Sequence, residues 1–141
     1  MDFNTSPIQF TLNILSRKWT IDILESLKTG RKRYSDLLNI NDQITTKVLS
    51  ERLKELYEFG IVDKIITNII PVKAKYELTE KGFFLFPILF EMAIFSSLHF
   101  PELIKPSEEK KVDEIIMFFG KHFNISSDEL KIIKSRFDLY H

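Results

Sequence analysis

Along the first sixty residues, apolar side chains recur every three to four positions, the spacing of one buried helix face. Ile8, Leu12 and Leu15 follow Ser6-Pro7, a pair that suits a helix start with proline in the first turn. Trp19, Ile23 and Leu27 repeat the interval, with Leu24 beside them, and predict a second helix over Lys18 to Lys28 that stops at Thr29-Gly30. On this pattern Trp19 is a core residue. Tyr34, Leu37 and Leu38 predict a short third helix, and Asn39 to Gln43 a turn. Thr45 can cap a fourth helix that runs to Phe59 and ends at Gly60, burying Leu49, Leu53, Leu56 and Tyr57. The pattern then changes. IVDKIIT is a β-branched run, and VKAKYEL follows after a connection containing Pro71, which predicts a two-stranded hairpin.

From Phe83 to Phe100 the chain is nearly all apolar, with phenylalanine recurring. A membrane span needs roughly 20 apolar residues, and this run comes close. Glu91 in its middle would be costly in lipid. Ser96, Ser97 and His99 make its second half polar, Pro87 lies inside it, and Lys81 and Lys105 are too few to orient a span. The run therefore reads as a core helix or as a surface for a second chain, not as a span. Pro101 and Pro106 bracket a connector. Ser107, with Lys110 where a capping box has Glu, begins a helix marked by Val112, Ile115, Ile116 and Phe119 and broken by Gly120 and Asn124. Ser126-Ser127-Asp128-Glu129 begins another, with Leu130, Ile133 and Phe137. Whether these two amphipathic helices widen an interface, cover apolar surface or bind another protein is left open by the sequence.

A short helix, a tight turn, a longer capped helix and a hairpin make a helix-turn-helix followed by a wing. The fold class expected for the 141 residues is mainly α (α+β): a winged helix-turn-helix with a β-hairpin wing, a long apolar helix and two further C-terminal helices. Residues 1–100 form the expected main domain and 101–141 a helical extension.

With its buried positions removed, the fourth helix leaves Thr46, Lys47, Ser50, Glu51 and Lys54 outside, beginning at the Thr45 cap. Small hydroxyls and a lysine near a helix N-terminus suit the major groove, although the same mixture also describes a solvated face. Net charge is zero, but the sum hides an asymmetry. Residues 17–82 hold thirteen Lys/Arg against ten Asp/Glu, and residues 83–141 hold seven against nine. Arg31, Lys32 and Arg33 form the densest basic cluster, placed to face a phosphate backbone while the fourth helix enters the groove. Lys73 and Lys75 on the wing offer contacts to a neighbouring phosphate or the minor groove.

Little else in the sequence suggests chemistry. The absence of cysteine rules out disulfides, thiolate metal sites and thiol redox sensing. His99, His122 and His141 lie far apart without ligand spacing, the four glycines each suit an element boundary, and no serine sits in a nucleophile elbow. No enzymatic activity, cofactor or metal is expected. MDFNTSPIQF lacks the basic start and cleavage site of a signal peptide, so the expected location is the cytoplasm. An aromatic-walled pocket near Phe84, Phe90 and Phe95 is a candidate for a small apolar effector, although aromatic stripes are more often core.

Several segments together carry a resemblance. They are the Lys18-Trp19 pair, Gly30 to Leu37 with an aromatic at Tyr34, Leu49 to Leu56 with Arg52-Leu53, Gly60, and Tyr76-Glu77-Leu78-Thr79 with Gly82 and Pro87. In this order, over about residues 6–95, the chain resembles the HxlR family of winged-helix transcriptional regulators, related to the MarR superfamily. The resemblance implies a homodimer on double-stranded DNA, with each fourth helix in a major groove and each wing beside it. It also implies that the first helix and the helix after the wing build the dimer interface. The residues so implicated are Ile8, Leu12, Phe84, Pro87, Ile88, Phe90, Glu91, Ile94, Phe95 and Leu98. Two departures stand out. Many family members carry a cysteine before the N-terminal proline, where this chain has Ser6. The wing position often held by arginine is Lys73, which keeps the charge but not the planar fork. The rival reading is a winged-helix protein-interaction module of the transcription machinery, favoured by the even Lys/Glu balance of the fourth helix.

Overall fold

The computed structural model of the chain describes residues 6–100 and 112–138. It divides into two compact units, Met1–Phe83 and Phe84–His141. In the first, α1 (Pro7–Leu15) starts with Pro7 in its first turn, as the sequence predicts. α2 (Thr20–Leu27) begins two residues later than expected because Trp19 takes a left-handed conformation, φ 72°, at its N-cap. Trp19 is consequently half-buried at a corner rather than in the core, with the Lys18 ammonium over its ring at 5.0 Å. Ile23, Leu24 and Leu27 do fill the core, each at 1% exposure or less.

α3 (Tyr34–Leu38) and α4 (Thr46–Glu58) form the helix-turn-helix. Asn41 shapes the turn, its side chain accepting from Gln43 N at 2.9 Å, and Ile44 is buried beneath it. Thr45 caps α4, its hydroxyl accepting from Val48 N at 3.2 Å. At the other end Gly60 (φ 68°) lets Ile61 N reach back to Leu56 O, a left-handed stop that a side chain would strain. Leu49, Leu53 and Leu56 are buried as predicted, each worth about 1.5–3 kcal/mol of burial. Tyr57 is not. It lies about half exposed, one position round from the core stripe.

The hairpin consists of β2 (Val62–Ile69) and β3 (Val72–Leu78), with Pro71 in the connection and an irregularity between Ile66 and Asn68. A two-residue strand, β1 (Lys32–Arg33), pairs antiparallel with β3 and gives the order β1-β3-β2. Two residues are too few to show a strand period, so the sequence gives no sign of β1.

After β3, the Thr79 hydroxyl donates to the Gly60 carbonyl and accepts from Gly82 N at 3.1 Å. This fixes the start of α5 (Glu80–Phe83) against the end of α4. Gly82 therefore lies inside a helical turn and is buried, not at an element boundary. A Cβ there would strike the Ile61 carbonyl oxygen.

The second unit comprises α6 (Leu85–His99), α7 (Val112–His122) and α8 (Ser127–Asp138). α7 packs on α6 through Phe123, whose ring lies 6.4 Å from both Phe86 and Phe90. The unit boundary thus falls ahead of α6, whereas the sequence pattern suggests one at the proline-bracketed connector. That connector and the Ser107 start lie outside the described residues. Gly120 does not break α7. It lies within the helix and lets Leu130 of α8 approach where a Cβ would stand. α7 ends at His122, and Asn124, at φ 55°, turns the chain after it. Ser126 and Glu129 cap α8 reciprocally, Glu129 N to Ser126 Oγ at 3.2 Å and Ser126 N to Glu129 Oε2 at 3.0 Å.

By length and composition Glu80–His99 could cross a membrane, with mean hydropathy 1.5, and 28% of that window is buried within the chain. Phe86, Leu89, Phe90 and Ile94 form the buried side of α6. Phe84, Ile88, Met92 and Phe95, at helical spacing, form an exposed apolar stripe.

Candidate nucleic-acid interface

α4 turns its core leucines inward because they repeat at i, i+4, i+7, and that leaves the intervening polar residues outside. Thr45, Thr46, Lys47, Ser50, Glu51 and Lys54 are all exposed, as the sequence predicts. Lys54 is at ion-pair distance from Glu58, 4.0 Å, one turn on. The opposite edge of α4 is anchored. Arg52 donates from Nε to Lys18 O at 3.2 Å and from Nη1 to Glu55 at 2.9 Å, and Arg17 pairs with the same carboxylate at 3.1 Å. Arg52 therefore ties α4 to the corner between α1 and α2.

A second anchor lies on the outer face. The Tyr34 hydroxyl donates to the Thr46 carbonyl at 2.9 Å and also lies 2.9 Å from Ser50 Oγ. One phenol thus pins the first turns of α4 to the start of α3. In the sequence Tyr34 stands out as an apolar helix position and as an aromatic of the family resemblance, not for its hydroxyl. The signal that could have revealed it is the choice of tyrosine at a site that stays partly exposed.

The basic cluster is divided rather than pooled. Arg31 is ion-paired with Glu77 on β3. Lys32 and Arg33 are successive residues of β1 and point to opposite faces of the sheet. Arg33 joins Lys73 and Lys75 around an open cleft of about 620 Å³, together with Tyr34, Ser35, Thr67, Val72 and Ala74. Arg33 and Lys75 are register partners across β1 and β3. Like charges directly opposite destabilise a strand pair, and an anion placed between them relieves that cost. The cleft also offers the Ser35 hydroxyl, a setting that suits a phosphate oxygen, whereas the Thr67 hydroxyl donates to Lys73 O at 3.3 Å. The wing beyond it ends in exposed apolar residues, Ile69, Ile70 and Val72.

Tyr76 faces the core between these elements. Burial raises its phenol pKa, and the nearby Tyr34 phenol raises it further. Among the described residues no group of three His, Asp or Glu side chains is placed to hold a metal.

The residues implicated in dimerisation fall into two classes. Ile8, Leu12, Phe84, Ile88 and Phe95 are exposed, and Pro87, Glu91 and Leu98 are intermediate. Phe90 and Ile94 are fully buried within the chain, Phe90 against Phe123, so they have no surface to offer a second copy. For the same reason Phe84, Phe90 and Phe95 do not wall one effector pocket.

The family model described as HxlR-like helix-turn-helix matches residues 14–103. The chain is 39% identical over 75 residues to the HTH-type transcriptional regulator YtcD of Bacillus subtilis, a match that spans 53% of this chain and 60% of YtcD. It is 29% identical over 115 residues to YdeP of the same organism, also an HTH-type transcriptional regulator, covering 82% of this chain and 90% of that one. In three dimensions it matches the reduced form of the transcriptional regulator YodB from B. subtilis, with a TM-score of 0.61 and 32% identity over 68% of this chain and 95% of that one.

Proposed function

Since the chain belongs to the HxlR-like helix-turn-helix family, whose curated relatives are HTH-type transcriptional regulators, we propose that it binds double-stranded DNA as a sequence-specific homodimer. α4 enters the major groove, with Thr46, Lys47 and Ser50 toward base edges. Arg33, Lys73 and Lys75 hold the flanking backbone. The observation that supports this reading is the cationic cleft of Arg33, Lys73 and Lys75, lined also by Tyr34, whose hydroxyl bonds the exposed first turns of α4. The second copy pairs through the Phe84, Ile88, Met92 and Phe95 stripe of α6, with Ile8 and Leu12 of α1 as further apolar contributors. An apolar stripe of this kind on a polar protein suits a subunit interface.

YodB has also been solved in a quinone-bound form. With no cysteine, this chain takes any signal without thiol chemistry. The deciding experiment is selection of bound fragments from a random duplex pool, followed by a salt series. The expected product is an inverted repeat with half-site centres about 34 Å apart, one helical turn. The rival reading, a protein-interaction module, draws on the apolar wing tip. Binding to no duplex at any salt concentration would favour it.

A further inference from the structure

The hydroxyl hydrogens around Tyr34 can be assigned by elimination. The Thr46 carbonyl can only accept, so the single phenolic hydrogen of Tyr34 goes to it, at 2.9 Å. Tyr34 Oη then has only lone pairs left for Ser50 Oγ, also at 2.9 Å, and Ser50 must be the donor of that bond. The one hydrogen of Ser50 is thereby turned inward. What the exposed Ser50 hydroxyl presents to the outside is lone pairs alone.

Resting on the proposed placement of α4 in the major groove, we infer that Ser50 is a specificity-determining residue that selects an amino base over a keto base, and that Tyr34 is the positioning residue that makes it do so. In the major groove, adenine N6 and cytosine N4 carry hydrogens, whereas guanine O6 and thymine O4 do not. A free serine hydroxyl rotates and can serve either kind of base. One whose hydrogen is held by Tyr34 bonds favourably only to adenine or cytosine. Opposite guanine or thymine it sets lone pair against lone pair. The position read by Ser50 in each half-site is therefore adenine or cytosine on the contacted strand, and the discrimination comes from a residue that does not touch DNA.

The test uses the intact protein and the half-site position whose preference disappears in Ser50→Ala. Wild-type protein is expected to bind adenine or cytosine there about 5-fold or more tightly than guanine or thymine, the scale of one hydrogen bond made or lost. Replacing that adenine by purine, or that cytosine by pyrimidin-2-one, removes only the amine. Wild type should then lose a similar factor, while Ser50→Ala loses none. Tyr34→Phe leaves Ser50 free to donate, and should bind all four bases there within about 2-fold. Its affinity for scrambled duplex and its thermal midpoint are expected to fall somewhat, because the hydroxyl that pins α4 to α3 is lost, but that loss is common to all four bases and leaves their ratio as the readout. A keto preference at that position, or an amino preference that survives in Tyr34→Phe, overturns the inference and leaves the DNA-binding reading intact. Absence of any sequence-selective binding by wild type overturns both.

Discussion

The Arg31 guanidinium is paired with the Glu77 carboxylate of β3, so one of the three clustered basic residues is neutralised before any DNA arrives. Both side chains are partly exposed, and pairs of this kind contribute about 0–1 kcal/mol or less. Their charge still counts toward a polyanion. Each cation that neutralises a phosphate steepens the dependence of log K on log salt by about 1.

Two substitutions separate the roles. Arg33→Ala is expected to weaken binding to specific and scrambled duplexes alike, and to reduce the salt slope by about 1 per subunit, so about 2 per dimer. Glu77→Gln frees Arg31 and is expected to strengthen binding to any duplex and steepen the slope. A salt series by fluorescence anisotropy reads both. If Glu77→Gln leaves the slope unchanged while Arg31→Ala flattens it, Arg31 already abandons Glu77 for phosphate and the assignment is wrong.

Gly82→Ala should destabilise the first unit by about 1–3 kcal/mol, the range of overpacking in a filled interior. Its added Cβ meets a backbone carbonyl, that of Ile61, which cannot rotate away as a side chain can. The shift would break the Thr79 hydrogen bonds to Gly60 and Gly82 that join α4, β3 and α5. A urea titration measures it, and an unchanged midpoint would show that the Ile61 peptide is free to move.

The sequence exposed the parts of this fold that depend on period and punctuation. The leucine stripe and Thr45 cap of α4, the Gly60 stop and the hairpin around Pro71 are all local signals, and the structure has each of them. What it did not expose depends on partners distant along the chain. β1 exists because β3, more than forty residues later, pairs with it. Arg31 to Arg33 form one run in sequence and serve three environments in space. Phe90 looks like an interface residue until Phe123 covers it. Tyr34 looks apolar until the Thr46 carbonyl and Ser50 arrive at its hydroxyl.

The buried phenol of Tyr76 gives the fold an alkaline limit. Its pKa is raised, chiefly by burial, so folding favours the neutral form. That contribution is fully present below the ordinary tyrosine pKa of about 10 and is lost as pH climbs past it toward the folded value, because the unfolded chain gives up the proton first. Urea midpoints should therefore fall more steeply above about pH 10 for wild type than for Tyr76→Phe, which has no phenol to ionise. Equal slopes for the two proteins would place the alkaline sensitivity elsewhere.

Assembly tests the apolar stripe of α6. Phe95 is 57% exposed and Ile88 42% in the single chain, so a glutamate at either position can stay solvated in a monomer and cost little there. In a dimer sealed by the same stripe the charge would be buried without a partner, at a cost of several kcal/mol, roughly 3 or more. Phe95→Glu and Ile88→Glu are thus expected to sediment as monomers at micromolar concentration while keeping the helical circular dichroism and melting of the parent, which should sediment as a dimer. Phe90→Glu is the control with a different outcome. Its ring is completely buried against Phe123, so the charge should unfold the packing of α6 with α7 and lower the melting temperature, whatever the state of assembly. Dimers that persist in both stripe variants would exclude this face of α6 as the interface. A parent protein that is monomeric at that concentration would remove the homodimer, and with it the expected one-turn spacing of half-sites.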